Sequence, residues 1–183
     1  QALLNEYPEV TKVTRIKESG AWFIGRDNKK FNEDGVLFAD STFFDVFDFK
    51  LLSGNKKTAL INPRSVILTK SYAKKYFGEE DPLGQKLTVE SDTIFYTVTG
   101  VIEDVPDHSH MQFDMMGSMS TYNHWNNNQW VSHNHYTYIK INKDADVIAF
   151  EEKMQELVYK YVGPQVEKFL GTTMDAWESA GNS

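Results

Sequence analysis

From Val10 to Ile16 the chain alternates, with Val10, Lys12, Thr14 and Ile16 on one side and Thr11, Val13 and Arg15 on the other. The β-branched content of that run makes it a strand. Trp22-Phe23-Ile24 is a second short strand, Arg26 to Lys30 a polar turn, and Lys30-Phe31 resumes. Asp34-Gly35 bends the chain into Val36-Leu37-Phe38-Ala39, a short apolar run of the kind that a buried strand carries. Further strands are read over residues 65–68, 86–89, 94–102, 112–119 and 135–141. Glu90-Ser91-Asp92 joins the second and third of these, and Asp81-Pro82-Leu83-Gly84 places Pro and Gly as a turn requires.

Helices are expected in five places. Residues 1–7 read as the last turns of a helix that Pro8 ends. Residues 43–55 pack four Phe, one Val and two Leu around two Asp. With Thr42 and Asp45 in a reciprocal capping arrangement and Gly54 as the left-handed terminator, a short apolar helix is expected there. Thr69 should cap a helix whose apolar stripe is Tyr72, Ala73, Tyr76 and Phe77, closed by Gly78. Asp144 or Asp146 should cap a helix reaching Val162, striped by Val147, Phe150, Met154, Leu157, Val158 and Tyr161. Gly163-Pro164 interrupts it, and one further helix carrying Phe169, Leu170, Met174 and Trp177 is expected beyond. Strands thus alternate with helices at both ends while the middle is richer in strand, which indicates an α+β fold with a small β-rich subdomain.

The chain has 183 residues, 40% hydrophobic and 14% aromatic, enough to bury a real core. Its net charge of −7 gives a phosphate backbone nothing to attract it, so nucleic-acid binding is disfavoured. With no Cys, disulfides, thiolate zinc sites and Cys nucleophiles are excluded. No apolar run approaches the ~20 residues that cross a bilayer. The chain starts at Gln1 without a Met and is read as a piece of a longer protein, whose membrane segments would lie outside it.

Candidate chemistry is thin. His108-x-His110 and His133-x-His135 place two imidazoles on one face of an extended segment, which suits zinc or copper. Ordinary loop histidines are the plainer reading, because no Cys completes a ligand set. There is no Gly-x-Ser-x-Gly elbow and no phosphate-binding Gly-rich loop. Glu79, Glu80, Asp81, Glu103 and Asp104 are read as turn and loop carboxylates before catalytic pairs. The Phe cluster and the Met row (Met111, Met115, Met116, Met119) are read as core packing before a partner surface.

Ordered motifs then add a resemblance. They are residues 39–47 and 49–54 around Phe43, Phe44, Phe47 and Gly54; residues 66–78 with Tyr72, Tyr76, Phe77 and Gly78; residues 81–85 with Pro82 and Gly84; and residues 96–106 with Gly100 and Pro106. Ser109-His110 and Phe113-Asp114 close the set, and Tyr7-Pro8-Glu9-Val10 precedes it. Together they resemble the MacB-like periplasmic core domain of FtsX-type ABC transporter permeases, of the kind typical of Bacteroidetes-like bacteria. The resemblance implies a domain on the outer side of the cytoplasmic membrane, between the first two transmembrane helices of an inner-membrane protein. It implies a porter-like α/β-sandwich lobe from residues 1–61 and 113–183, and an inserted β-rich lobe over 62–112. It offers no catalytic residue to carry over, and neither a cofactor nor a metal is expected; the motif residues act structurally, with Gly54, Gly78, Gly84 and Gly100 at turns and Phe44, Phe47, Tyr76 and Phe77 in packing.

The implied partners are the permease's own transmembrane helices, a cytoplasmic ATPase acting indirectly, a second permease in a homodimer or heterodimer, and a periplasmic adaptor or a substrate peptide or lipoprotein, with no nucleic acid. The implied work is efflux or mechanotransmission through movement of the lobes, and it puts the two chain ends near each other, facing the bilayer. The rival reading is an extracytoplasmic sensor or ligand-binding module, which needs a pocket lined by aromatics such as Trp22, Trp125, Trp130 and Tyr136. A third reading is a metal-dependent enzyme built on the His pairs.

Overall fold

A computed structural model describes residues 2–122, 130–132 and 134–181. The predicted first alternation becomes strand β1 (Val10–Glu18), with Val10, Thr14 and Ile16 buried. A two-residue turn at Asp27-Asn28 joins β2 (Trp22–Arg26) to β3 (Lys29–Glu33). The all-apolar run is β4 (Val36–Ala39), buried at every position. After it come β5 (Leu51–Gly54), β6 (Ser65–Thr69), β7 (Lys86–Val89), β8 (Ser91–Ile102), β9 (Met115–Ser118) and β10 (Tyr136–Ile141). The helices are α1 (Ala2–Glu6), α2 (Phe43–Val46), α3 (Lys70–Phe77), α4 (Val147–Tyr161), α5 (Gly163–Leu170) and α6 (Met174–Ser179).

Among the described residues the strands form one sheet in the order β10-β1-β4-β9-β6-β8-β7-β2-β3, with β5 paired to β8 off that path. β4–β9 and β6–β8 are parallel, and the other pairs whose register is known are antiparallel. The fold is α+β, as the sequence pattern indicates.

The described residues form two compact units. One is drawn from residues 1–11, 124–134 and 141–183 and holds α1 and α4 to α6. There Tyr7 meets Phe150 edge-on at 5.9 Å and donates its hydroxyl to the Lys153 carbonyl at 3.2 Å. Glu6 accepts from Lys160 and Tyr161, and Glu9 pairs with Lys153, so the end of α1 and the residues after it are tied to α4. Asp146 caps α4 by accepting from Ala149 N–H at 3.1 Å. The other unit, residues 12–123 and 135–140, holds most of the sheet with α2 and α3. Its core gathers Ile16, Leu37, Phe43, Leu60, Ile67, Ile102, Phe113 and Met116. Residues 62–112 lie wholly inside this unit and supply β6, α3, β7 and β8; β2 and β3, from outside that range, add to β7.

Two helical expectations need correction. The Phe-rich helix is a single turn: α2 ends at Val46, Phe47 is extended (φ −112°, ψ 140°), and Leu51–Gly54 is a strand on β8. A helix that long with four Phe would keep no polar face, whereas this path lets Phe47 and Phe49 pack on Phe43 at 5.2 and 5.4 Å. Thr42 does not cap α2. Its hydroxyl donates to the Val13 carbonyl at 2.6 Å, and Asp45 pairs with Lys12. Gly54 therefore ends a strand, at φ +98°, where an added Cβ would lie 2.4 Å from the Thr99 carbonyl oxygen. The single helix expected after Gly163-Pro164 is two, because Gly171 takes φ +68° and Thr173 starts a new helix by capping Ala176 N–H.

Replacing Phe43 by Ala should lower stability by about 3–5 kcal/mol through the cavity left in this core. Gly54→Ala should cost more than about 1 kcal/mol from backbone strain and the Thr99 clash. Ile148→Ala, at a position 72% exposed, should stay within about 0.5 kcal/mol. Urea unfolding midpoints of the 183-residue chain check all three.

Candidate functional site

In β3 the side chains alternate, so Phe31 and Glu33 share a face. Their register opposite Ile24 and Trp22 turns that face inward. Glu33 thereby enters the interior, only 3% exposed. α3 meets it there with one face, Tyr72, Lys75 and Tyr76, spaced i, i+3 and i+4. Lys75 Nζ donates to both Glu33 oxygens at 2.6 and 2.9 Å. The Tyr72 hydroxyl donates to Oε2 at 2.9 Å and the Tyr76 hydroxyl to Oε1. The Lys75 ammonium also lies 4.7 Å from the Phe31 ring centroid and 4.6 Å from that of Tyr72. One buried carboxylate thus receives three donors from one helix, the arrangement that makes a buried charge tolerable.

Burial, then the bond to Glu33, raises the Tyr72 and Tyr76 hydroxyls well above the usual phenol range. Asp114 stands beside Tyr72, and Gly35 makes room for it, since a Cβ there would meet Asp114 Oδ2 at 2.5 Å. Burial raises the Asp114 carboxyl, opposed by the bond from Tyr72 and reinforced by the Glu33 charge. Asp104 differs. Burial works to raise it, but the Ser71 N–H and hydroxyl, at 2.8 and 2.7 Å, bring it below the ordinary value. Asp104, Ser71, Thr69, Gln112 and Asp114 line a cleft of about 330 Å3 at the start of α3. With its oxygens taken by three donors, Glu33 is arranged as a tether and not as a general base.

The motif residues are placed as follows. Phe43 is fully buried, with Phe44 and Phe47 half-buried against it. Phe77 is buried under the Arg26 guanidinium, 4.1 Å from its centroid. Thr69 caps α3 and Gly78 closes it at φ +62°. The Pro82 carbonyl accepts from Gln85 N–H, and Gly84 N–H donates to the Val98 carbonyl. Gly100 lies where β5 and β8 meet, 3.1 Å from Leu51 Cδ1 by an added Cβ. The Pro106 carbonyl accepts from Ser109 N–H and Gln112 Nε2. Met111, Met115, Met116 and Met119 are buried.

Of the suggested aromatic pocket, Trp22 is core, packed on Phe38 and Tyr96. Trp130 belongs to the other unit, stacked on Tyr161 at 4.5 Å, and Tyr136 is exposed on β10. Trp125 lies outside the described residues, as does His133. His135 is held below its ordinary pKa by burial and by Arg15, and His110 contacts the Tyr138 ring. Among the described residues no three His, Cys, Asp or Glu side chains gather as a metal would require. Glu80 pairs with Arg26 and Glu103 with Lys50, as turn carboxylates do. Sequence reasoning missed Glu33; the signal was its parity with Trp22 and Ile24 across the β2–β3 turn.

The family model described as the MacB-like periplasmic core domain matches residues 1–157. The chain belongs to that family. The Porphyromonas gingivalis permease domain has the same fold at TM-score 0.77 and 27% identity, covering 87% of this chain and 74% of its own. The periplasmic region of MacB from Actinobacillus actinomycetemcomitans follows at TM-score 0.64 and 20% identity, covering 93% and 80%. The extracellular domain of the noncanonic ABC-type transporter YknZ from Gram-positive bacteria matches at 0.58 and 17%, covering 93% and 81%. No curated protein matches significantly. The MacB-like periplasmic domain family is not an enzyme family. Among the described residues no helix is long and apolar enough to cross a membrane.

Glu33→Ala should strand the buried Tyr76 hydroxyl, take a partner from Tyr72 and Lys75, and cost about 2–4 kcal/mol. A raised carboxyl pKa means that folding binds a proton, so Asp114 weakens the fold increasingly as pH rises through its folded value. Asp114→Asn should therefore be more stable than the parent at pH 7, and the gap should close once pH falls below the ordinary value of 3.8. Thermal melts of both chains across pH test this.

Proposed function

We propose that this chain is the extracytoplasmic domain of an ABC-type permease of the inner membrane, and that it passes ATP-driven movement to a cargo or partner without making or breaking bonds itself. The family match over residues 1–157 carries this reading. The motif residues serve turns and packing in it. The lobes expected over 1–61 with 113–183 and over 62–112 are its moving parts, with ATP hydrolysed by a cytoplasmic partner and the transmembrane helices of the permease as the link. A tether such as Glu33 supports the reading, because a part that transmits force has to keep its own helix and sheet together. That the first helix and the last three lie in one compact unit also supports it, since that unit then receives movement from both directions along the chain.

This chain has no Cys, so a Cys placed in it is labelled selectively once any Cys elsewhere in the permease has been replaced by Ser. A single Cys in place of the exposed Asp107, in the full-length permease, should react with a membrane-impermeant maleimide in cells whose outer membrane alone is permeabilised. Labelling only after lysis of the inner membrane would refute the location. Hydrogen exchange on the permease–ATPase complex should then show changed protection in this domain between the nucleotide-free and ATP-bound states; identical exchange throughout would refute the coupling.

A further inference from the structure

β7, β2 and the first half of β8 present two contrasting faces. Ile24, Leu87, Val89 and Tyr96 are buried. Alternation turns their neighbours the other way. Thr88 is registered with Gly25 on one side and Phe95 on the other, and Phe23 is registered with Asn32 of β3. On this second face Phe23 and Phe95 are 45% and 43% exposed. α3 does not cover it: Tyr76 and Phe77 meet Phe31 and Arg26 on the opposite face. Two large rings about 12 Å apart, by strand spacing, stand on an otherwise polar sheet surface.

The charge on this face runs against that of the chain. The whole carries −7, yet Lys86 Nζ lies 5.6 Å from the Phe95 centroid, and Lys30, registered with Gly25, lies on the same face. The carboxylate at the rim, Glu90, accepts from the Phe23 N–H through Oε1 at 3.1 Å. Aromatic anchors bordered by cations suit a protein segment that offers an apolar side chain beside carboxylates. An anionic bilayer or a second copy carrying another −7 would present its charge to the whole domain and be repelled, whereas a short acidic segment is screened from all but the charges within about 8 Å of it, Lys86 among them.

We propose that the Phe23–Phe95 face is a docking surface for an acidic, apolar segment of another protein. The rings supply the anchor, and Lys30 and Lys86 supply the selection for carboxylates. This surface does not depend on ATP coupling, so the two ideas fail separately.

The test places p-benzoylphenylalanine at position 23 or 95 of the full-length permease in its own membrane, irradiates, and sequences the adducts. The expected result is one protein segment in which an apolar residue lies within a few positions of Asp or Glu. Adding Lys86→Glu should cut the yield about five-fold while Lys86→Arg preserves it. A synthetic peptide of that segment should bind the 183-residue chain and weaken about ten-fold with Lys86→Glu. Lys30→Glu provides a second charge reversal if Lys86→Glu shifts the melting temperature. Adducts to lipid alone, adducts to a second copy alone, no adduct, or yields indifferent to both reversals would each overturn the proposal.

Discussion

Strand β8 has to satisfy three partners, and much of the larger unit follows from how it does so. Its first half pairs with β7, its second half with β5, and β6 runs along the other side. One strand edge serves two partners in succession only if the ladder is interrupted. On that edge the ladder passes from Thr97, opposite Lys86 of β7, to Gly100, opposite Gly54 of β5; on the other edge Thr99 has no partner on β6, because Val66 faces Val98 and Ile67 faces Gly100. Such an extra residue bends a strand and strengthens its twist. The Thr99 hydroxyl is taken up by the Ala59 carbonyl at 2.7 Å, and Gly100 next to it leaves room for Leu51. The positive φ of Gly54 is the matching concession on β5, since its backbone approaches the same point.

A second constraint is electrostatic. Glu33 sits near the free end of the sheet, where β3 has one neighbouring strand. An apolar residue there would cover α3 with less desolvation cost, because replacing a buried ion pair by well-packed hydrophobes is often neutral or stabilising. The carboxylate gives direction instead. Two phenols and an ammonium converge on this one carboxylate, with the Tyr76 hydroxyl buried on it, so α3 is held in one register against β3. The rings of Phe31 and Tyr72 around Lys75 keep its stem dry while a third of its side chain stays exposed.

Much of this was legible in the residues. Period-two runs such as Val10 to Ile16 gave strands, and Thr69 and Asp146 marked helix starts, because those signals act over a few neighbouring positions. The Phe-rich stretch misled for a physical reason. Residues 43–54 have helical spacing and a plausible cap, but β8 offered an unpaired edge and Phe113 a packing partner, both far away in sequence. The tertiary contacts outweighed local propensity. Glu33 was hidden for the converse reason: its neighbours look polar and exposed, and nothing near it in the chain reveals that Tyr72, Lys75 and Tyr76 converge on it. The break at Gly171 was written in the sequence, but a Gly late in an amphipathic stretch reads equally well as a tolerated interruption.

A sheet hydrogen-bonded continuously from β10 to β3 transmits displacement better than it absorbs it, because bending it means breaking backbone bonds in the interior. It is weakest where the ladder is already irregular. Those points are Leu51/Ser53, Val66/Ile67 and Thr88/Val89. Two of the three converge on the second half of β8, beside Thr99 and Gly100. Residues 62–112 contribute β6 and β8 to both sides of that bulge, so a smaller lobe drawn from them shares its backbone ladder with the rest of the unit. If the proposed movement bends this unit at all, the bulge on β8 is where bending breaks the fewest bonds, and the ties of Glu33 to α3 keep the β3 end intact while it does so.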